Sequence, residues 1–234
     1  QIVLGKAGNS YRLLRRWQSR YGSVDYPEIL QSIKILIHSA ETTPSIEQLR
    51  GYEGAIAARY FEGLKQILAP EWEFNGRNRR PPRDPVNVLL SLGYTWLFKS
   101  LYSLVRMYRL YPYAGVYHEL STGHPALVSD LMEEFRAPVI DWLVLSLIRQ
   151  ERLKPENDFL TILDEQGKRS CTLLPAALKR YIEAFEDKML TLVRHHESGL
   201  HVDYRRCMEL QVRQYLQVLE GTRETYVPYT TENW

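Results

Sequence analysis

Apolar positions recur at intervals of three and four along most of this chain, and that spacing predicts one helix after another. Leu13, Leu14 and Trp17 sit among Arg12, Arg15, Arg16 and Arg20, which reads as a basic amphipathic helix over 9–21. Ile29, Ile33, Leu36 and Ile37 share a face over 27–40, with Leu30 beside it and Ile35 pointing elsewhere. This second helix is therefore expected to be buried on more than one side, although 33–37 also suits a short buried strand. Glu41-Thr42-Thr43-Pro44 breaks it, and a third helix runs from Ser45 to Leu68.

Asp84-Pro85 supplies an N-cap and a first helical residue for a fourth helix, which reaches about Leu110 and is apolar nearly all round. Tyr111 to Gly115 ends it, and His118 opens a loop through Gly123 and Pro125. A helix over 126–136 follows, which Pro138 is expected to separate from another at 139–152. The period then changes. Phe159, Thr161 and Leu163 alternate, Gln166-Gly167 turns, and Arg169, Cys171 and Leu173 return, which predicts a β-hairpin. Helices over 175–197 and 203–220 complete a mainly α fold, one helical domain over 9–221 carrying a small hairpin, with a polar tail at 222–234.

One position breaks the pattern. The inward stripe of the third helix steps through Ile46, Leu49, Glu53, Ile56, Tyr60, Gly63 and Ile67. A carboxylate there costs several kcal/mol unless paired, protonated or metal-bound, so Glu53 needs a partner from elsewhere in the fold. Two further clusters carry charge. Arg77, Arg79, Arg80 and Arg83 lie on a proline-stiffened loop that leads into the fourth helix, and Asp130, Glu133 and Glu134 come shortly after His118, on the helix that follows its loop. Bland readings account for much of this: a solvated acidic helix face, a loop histidine, a surface basic loop. Taken together with Glu53, the set also makes an oxygen-rich site with one imidazole, which suits Mg²⁺ or Mn²⁺ better than zinc. His195, His196 and His201 read as surface residues, because adjacent histidines point different ways.

Composition sets bounds. The 234 residues suffice for one large domain, and a net charge of +2 means that any nucleic-acid binding must come from local clustering. Two distant cysteines make a zinc site on them improbable and favour a reducing compartment. No apolar run approaches the roughly 18 residues of a membrane span, and the first five residues are too short for a signal peptide, so a cytoplasmic protein without a membrane partner is expected.

Four stretches in order, Glu53 to Phe61, Arg79 to Asn87, Gly115 to His118, and Asp130 to Arg136, resemble the CRISPR-associated adaptation integrase family, the endonuclease subunit of spacer acquisition. Ile2-Val3-Leu4-Gly5-Lys6 also resembles the join between that family's two lobes, which makes residues 1–8 a linker remnant and leaves the β-rich N-terminal lobe out of this chain. The resemblance implies a helical catalytic lobe whose Mg²⁺ or Mn²⁺ is held by Glu53, His118 and Glu133, with Asp130 adjacent. Whether Asp130 or Glu133 is the closer ligand stays open at this point.

It further implies transesterification, in which the 3′-hydroxyl of incoming DNA attacks a phosphodiester at the repeat. The implied partners are branched or double-stranded DNA with 3′ ends, a second copy in a homodimer and the small ferredoxin-like adaptation subunit. A reverse-transcriptase fusion is one way to account for the absent lobe. Charge and position make Arg59, Arg77, Arg79, Arg80 and Arg83 candidates for holding phosphates. The rival reading is a helical DNA-binding or scaffold module without catalysis.

Overall fold

The computed structural model describes residues 1–22, 25–119 and 123–231. Helices α1 (Ile2–Tyr21), α2 (Pro27–Thr42) and α3 (Ile46–Ile67) pack on one another. Ser45 caps α3 by accepting the Gln48 amide. Next comes α4 (Pro85–Met107), followed by α5 (Ala126–Phe135), a π-helical segment (Arg136–Asp141) and α6 (Trp142–Arg149). A short helix α7 (Pro155–Asp158) leads into strands β1 (Phe159–Leu163) and β2 (Arg169–Leu173). Helix α8 (Pro175–Met189), strands β3 (Leu192–Arg194) and β4 (His201–Asp203), and helix α9 (Tyr204–Leu219) follow. The mainly α class with a hairpin on a helical body holds.

The central helix is α4, as its all-round apolar surface predicts: Leu89, Leu97, Leu101 and Val105 are fully buried. It is long and apolar enough by length and composition to cross a membrane, yet here it is a packing helix, touching α5, α9, β2 and the π segment. Gly93 is where it comes closest, since a Cβ there would lie 2.6 Å from both Ile140 Cγ2 and Tyr181 Oη.

Four differences from the sequence expectations have physical causes. Helix α1 begins at Ile2 rather than at residue 9, with Ile2, Val3, Gly5 and Ala7 buried, although no side chain caps it and two glycines weaken its helical signal. Pro138 does not break the chain; a wide π turn absorbs it, so α5 runs through to α6. A second hairpin, β3 with β4, replaces the last turns expected of the helix over 175–197, its strands being too short for alternation to show. At its turn His195 is buried rather than on the surface, 3.0 Å from Gln211 Oε1 through Nε2 and 2.9 Å from Ser198 Oγ through Nδ1.

The segment after α9 returns to the core. Buried Asn9 donates to the carbonyls of Glu134 and Tyr229, each at 2.8 Å, and accepts the Thr231 amide at 3.1 Å. Tyr229 stacks on Phe135 with ring centroids 5.0 Å apart. The polar tail is thereby packed over α1 and α5.

Candidate metal centre

Helix α5 is buried along its whole length, including Asp130, Glu133 and Glu134, so the solvated acidic face is overturned. Its three acids do three different things. Glu134 faces the tail. Asp130 faces the loop before α5, where both oxygens are engaged: they accept the amides of Val116 at 2.7 Å and of Tyr117 and His118 at 3.0 Å, and His118 Nδ1 lies 2.6 Å away. Gly115 permits this close crossing, since a Cβ there would stand 2.7 Å from Ala126 Cβ and 2.9 Å from Asp130 Oδ2. Because a carboxylate only accepts, Nδ1 carries a proton, and in the neutral imidazole this tautomer leaves His118 Nε2 its lone pair.

Glu133 is buried behind Lys6 and Arg136, two residues that line a cleft. Its Oε1 lies 3.1 Å from Arg136 Nη2 and its Oε2 2.7 Å from Lys6 Nζ. That contact is electrostatic only: Oε2 is buried and takes no properly directed hydrogen bond among the described residues. Burial alone pushes the Glu133 carboxyl up, but Arg136 and Lys6 together leave it below the ordinary carboxylate value. The same ammonium donates to Glu53 Oε1, so Lys6 is the partner that the α3 stripe demands. Glu53 is 23% exposed and lines the cleft; it is not sealed in the core. In this conformation no three His, Cys, Asp or Glu side chains among the described residues converge closely enough to hold an ion.

The arginines divide. Arg77 is drawn inward, donating to Asn87 Oδ1 at 2.7 Å and Ser91 Oγ at 3.0 Å and lying over the Tyr94 ring. Asn87 also accepts the Asn78 amide, and Asp84 accepts from Asn78 Nδ2, so the arginine loop is stitched to the first turn of α4. Arg79 lines the cleft with Arg77; exposed Arg80 and Arg83 lie outside it, and Arg59 pairs with Glu62 at 2.8 Å.

Lys6, Arg136 and Asp141 escaped the sequence reading. The Lys6 signal was present: Val3, Lys6, Ser10, Leu13 and Trp17 step by threes and fours, which sets a cation in an apolar stripe just as Glu53 sets an anion. Arg136 is half-buried, its side chain 19% exposed; its Nε is buried with no hydrogen-bond partner among the described residues, while its guanidinium covers Tyr94 at 4.7 Å. Asp141 accepts the hydroxyls of Tyr60 at 2.6 Å and Tyr94 at 2.5 Å on the cleft floor.

Burial pushes the Asp141 carboxyl up to about 6, against a usual 3.8 and in spite of those two hydrogen bonds. Between these values the folded chain holds a proton that the unfolded chain has lost, so stability falls as pH rises from about 4 to 6. Asp141→Asn should flatten that slope, worth at most about 3 kcal/mol, in a series of Tm measurements across the window. An unaltered slope would place the titration elsewhere.

Residues 1–187 match the family model of CRISPR associated protein Cas1. The chain belongs to the Cas1 family. A Cas1 endonuclease of Thermus thermophilus is 35% identical over 98% of this chain and 65% of its own length. A Cas4 exonuclease/Cas1 endonuclease fusion of Geobacter sulfurreducens is 35% identical over 98% of this chain and 41% of its own length. The chain thus spans about two fifths to two thirds of these Cas1 relatives.

Among solved structures, a chain of a Cas6-RT-Cas1–Cas2 complex superposes with a TM-score of 0.86 at 25% identity, over all of this chain and 25% of that one. A casposase bound to an integration product gives 0.81 at 22% identity, over all of this chain and 63% of that one, a likeness of fold.

Proposed function

We propose that this chain is the catalytic part of a Cas1 DNA endonuclease and integrase dependent on Mg²⁺ or Mn²⁺, with Glu53, Glu133 and His118 Nε2 holding the ion. The observation that carries this is the pair of carboxylates, Glu133 and Glu53, brought to one cation: buried Glu133 Oε2 lies 2.7 Å from the Lys6 ammonium, which also donates to Glu53. The donors fit a hard divalent ion: two carboxylates and an imidazole whose far nitrogen is locked by Asp130, a common arrangement behind metal-binding histidines. Asp130 serves by aiming His118, so Glu133 is the ligand of the two.

When bound, the ion supplies charge neutralisation at the phosphoryl group and a lower barrier to attack by a hydroxyl. The chain's own residues do the rest. Arg136 and Arg77, held over Tyr94, present cationic edges to a phosphate in the cleft, and Arg79 extends that surface toward the loop. No side chain acts as a nucleophile, since the 3′-hydroxyl of incoming DNA attacks the phosphodiester directly and the leaving strand departs with its own 3′-hydroxyl. A second copy of the chain and a Cas2-type small subunit are the proposed partners, the latter by analogy with the superposed Cas6-RT-Cas1–Cas2 complex. The same complex makes a reverse-transcriptase fusion a proposal for the full-length protein.

Nicking of a branched DNA tests the reading. Wild type should nick only with Mg²⁺ or Mn²⁺, and Glu53→Ala and His118→Ala should lose nicking while keeping DNA binding. Full activity in both variants would favour the non-catalytic DNA-binding module. Asp130→Asn should stay folded but bind Mn²⁺ about 10- to 100-fold more weakly, read by calorimetry. For the loop, Arg79→Gln, Arg80→Gln and Arg83→Gln should each reduce the salt slope of DNA binding by about one in an anisotropy titration. Slopes unchanged in all three would remove the loop from the DNA interface.

A further inference from the structure

Lys6 stands where the proposed ion would stand. Its ammonium donates to Glu53 and lies 2.7 Å from Glu133 Oε2, bridging two carboxylates from different helices. The backbone beneath it is fixed. A Cβ on Gly5 would lie 2.5 Å from Pro228 Cβ and 3.7 Å from Glu134 Cβ, so this turn of α1 is clamped between the tail and α5. The side chain is not: Lys6 is 22% exposed and borders a cleft of about 160 Å³ that Arg77, Arg79 and Arg136 also line. A flexible four-carbon stem on a rigid anchor lets the charge move while the helix stays.

We infer that Lys6 is an internal counter-ion: it holds Glu53 and Glu133 together in the absence of a divalent ion, yields that place when one enters, and then turns to the phosphate that these arginines attract. This rests on the proposed metal centre. Two positive charges cannot share the space between the same two carboxylates, so the ammonium competes with the metal. DNA offers Lys6 a second anionic partner, so DNA should tighten metal binding, and by linkage metal should tighten DNA binding equally. The pairing also keeps two carboxylates from facing one another uncompensated, which stabilises the metal-free chain.

The test is Mn²⁺ binding by calorimetry, with and without a phosphodiester-containing duplex, in wild type and Lys6→Met. Without DNA, Lys6→Met should bind Mn²⁺ about tenfold more tightly than wild type, and the gain in affinity that DNA gives wild type should shrink toward none. Unchanged or weaker Mn²⁺ binding by Lys6→Met overturns the counter-ion role. Should Lys6→Met fail to fold without metal, Mn²⁺ should restore its circular dichroism and Tm; failure to restore them overturns the role as well. Glu133→Gln separates this inference from the reading beneath it. If wild type shows no Mn²⁺ binding that Glu133→Gln removes, the metal centre itself falls and the counter-ion role falls with it. If that binding is present and Lys6→Met leaves it unaltered, only the counter-ion role fails.

Discussion

Glu133→Gln is expected to lower divalent-ion-dependent nicking at least about 100-fold while leaving DNA binding nearly intact. Glutamine keeps the shape of the side chain and can still meet Arg136 through its amide oxygen, so the helix should stay folded. What it removes is the second oxygen, the buried Oε2 without a hydrogen bond, and the negative charge that would hold an ion. Alanine is the wrong choice here, because it leaves the half-buried Arg136 guanidinium and Lys6 without the Glu133 carboxylate, a destabilisation that would confound activity with unfolding. Single-turnover nicking beside an anisotropy titration separates the two. A Glu133→Gln variant that nicks like wild type would remove this residue from the site.

Glu134→Ala is expected to be the most destabilising single change at α5, by about 3–5 kcal/mol, or roughly 10 °C in Tm. Its carboxyl, pushed up to about 8 by burial, accepts the Tyr226 hydroxyl at 2.5 Å, Gln211 Nε2 at 3.1 Å and the Tyr229 amide at 2.7 Å. Alanine leaves the buried Tyr229 amide and the part-buried Tyr226 hydroxyl without this acceptor beside a void, so the tail should loosen from α1 and α5. Faster proteolysis after α9, ahead of global unfolding, is the accompanying sign. A Tm within about 2 °C of wild type would mean that Asn9, the Gln211 and Gln214 bonds to Val227 and the Tyr229–Phe135 stack hold the tail without Glu134.

These two neighbours on one helix turn show what the sequence could and could not disclose. Periodicity alone places Glu53 in a core stripe and demands a partner for it, and Ser45 and Asp84 mark their helix starts by residue type. Periodicity treats Asp130, Glu133 and Glu134 alike, because their fates depend on what surrounds α5: a loop of bare amides on one side, Lys6 and Arg136 on another, the returning tail on a third. None of those neighbours is local in sequence. Lys6 went unread because residues 1–8 matched a linker by resemblance, although its spacing to Leu13 and Trp17 sets it on the buried face of α1. The π turn is invisible for a different reason: proline ordinarily ends a helix, and only the packing of Ile140 and Asp141 against α4 and α3 keeps this one going.

The description of the centre also explains why a bare carboxylate–imidazole count understates it. Asp130 would rank with the ligands by charge, yet its oxygens are spent on three amides and an imidazole, and its contribution is to fix which nitrogen of His118 is bare. Arg136, far in sequence from Arg77 and Arg79, supplies the guanidinium that lets Glu133 stay charged.

The most direct test is the anomalous diffraction of a crystal of this chain equilibrated with Mn²⁺. The account predicts a single strong peak about 2.1–2.3 Å from a carboxylate oxygen of Glu53, from Glu133 Oε2 and from His118 Nε2, with Asp130 still on Nδ1 and Lys6 turned away. A map with no peak there at saturating Mn²⁺, and with the Lys6 ammonium still seated between the two glutamates, would contradict it.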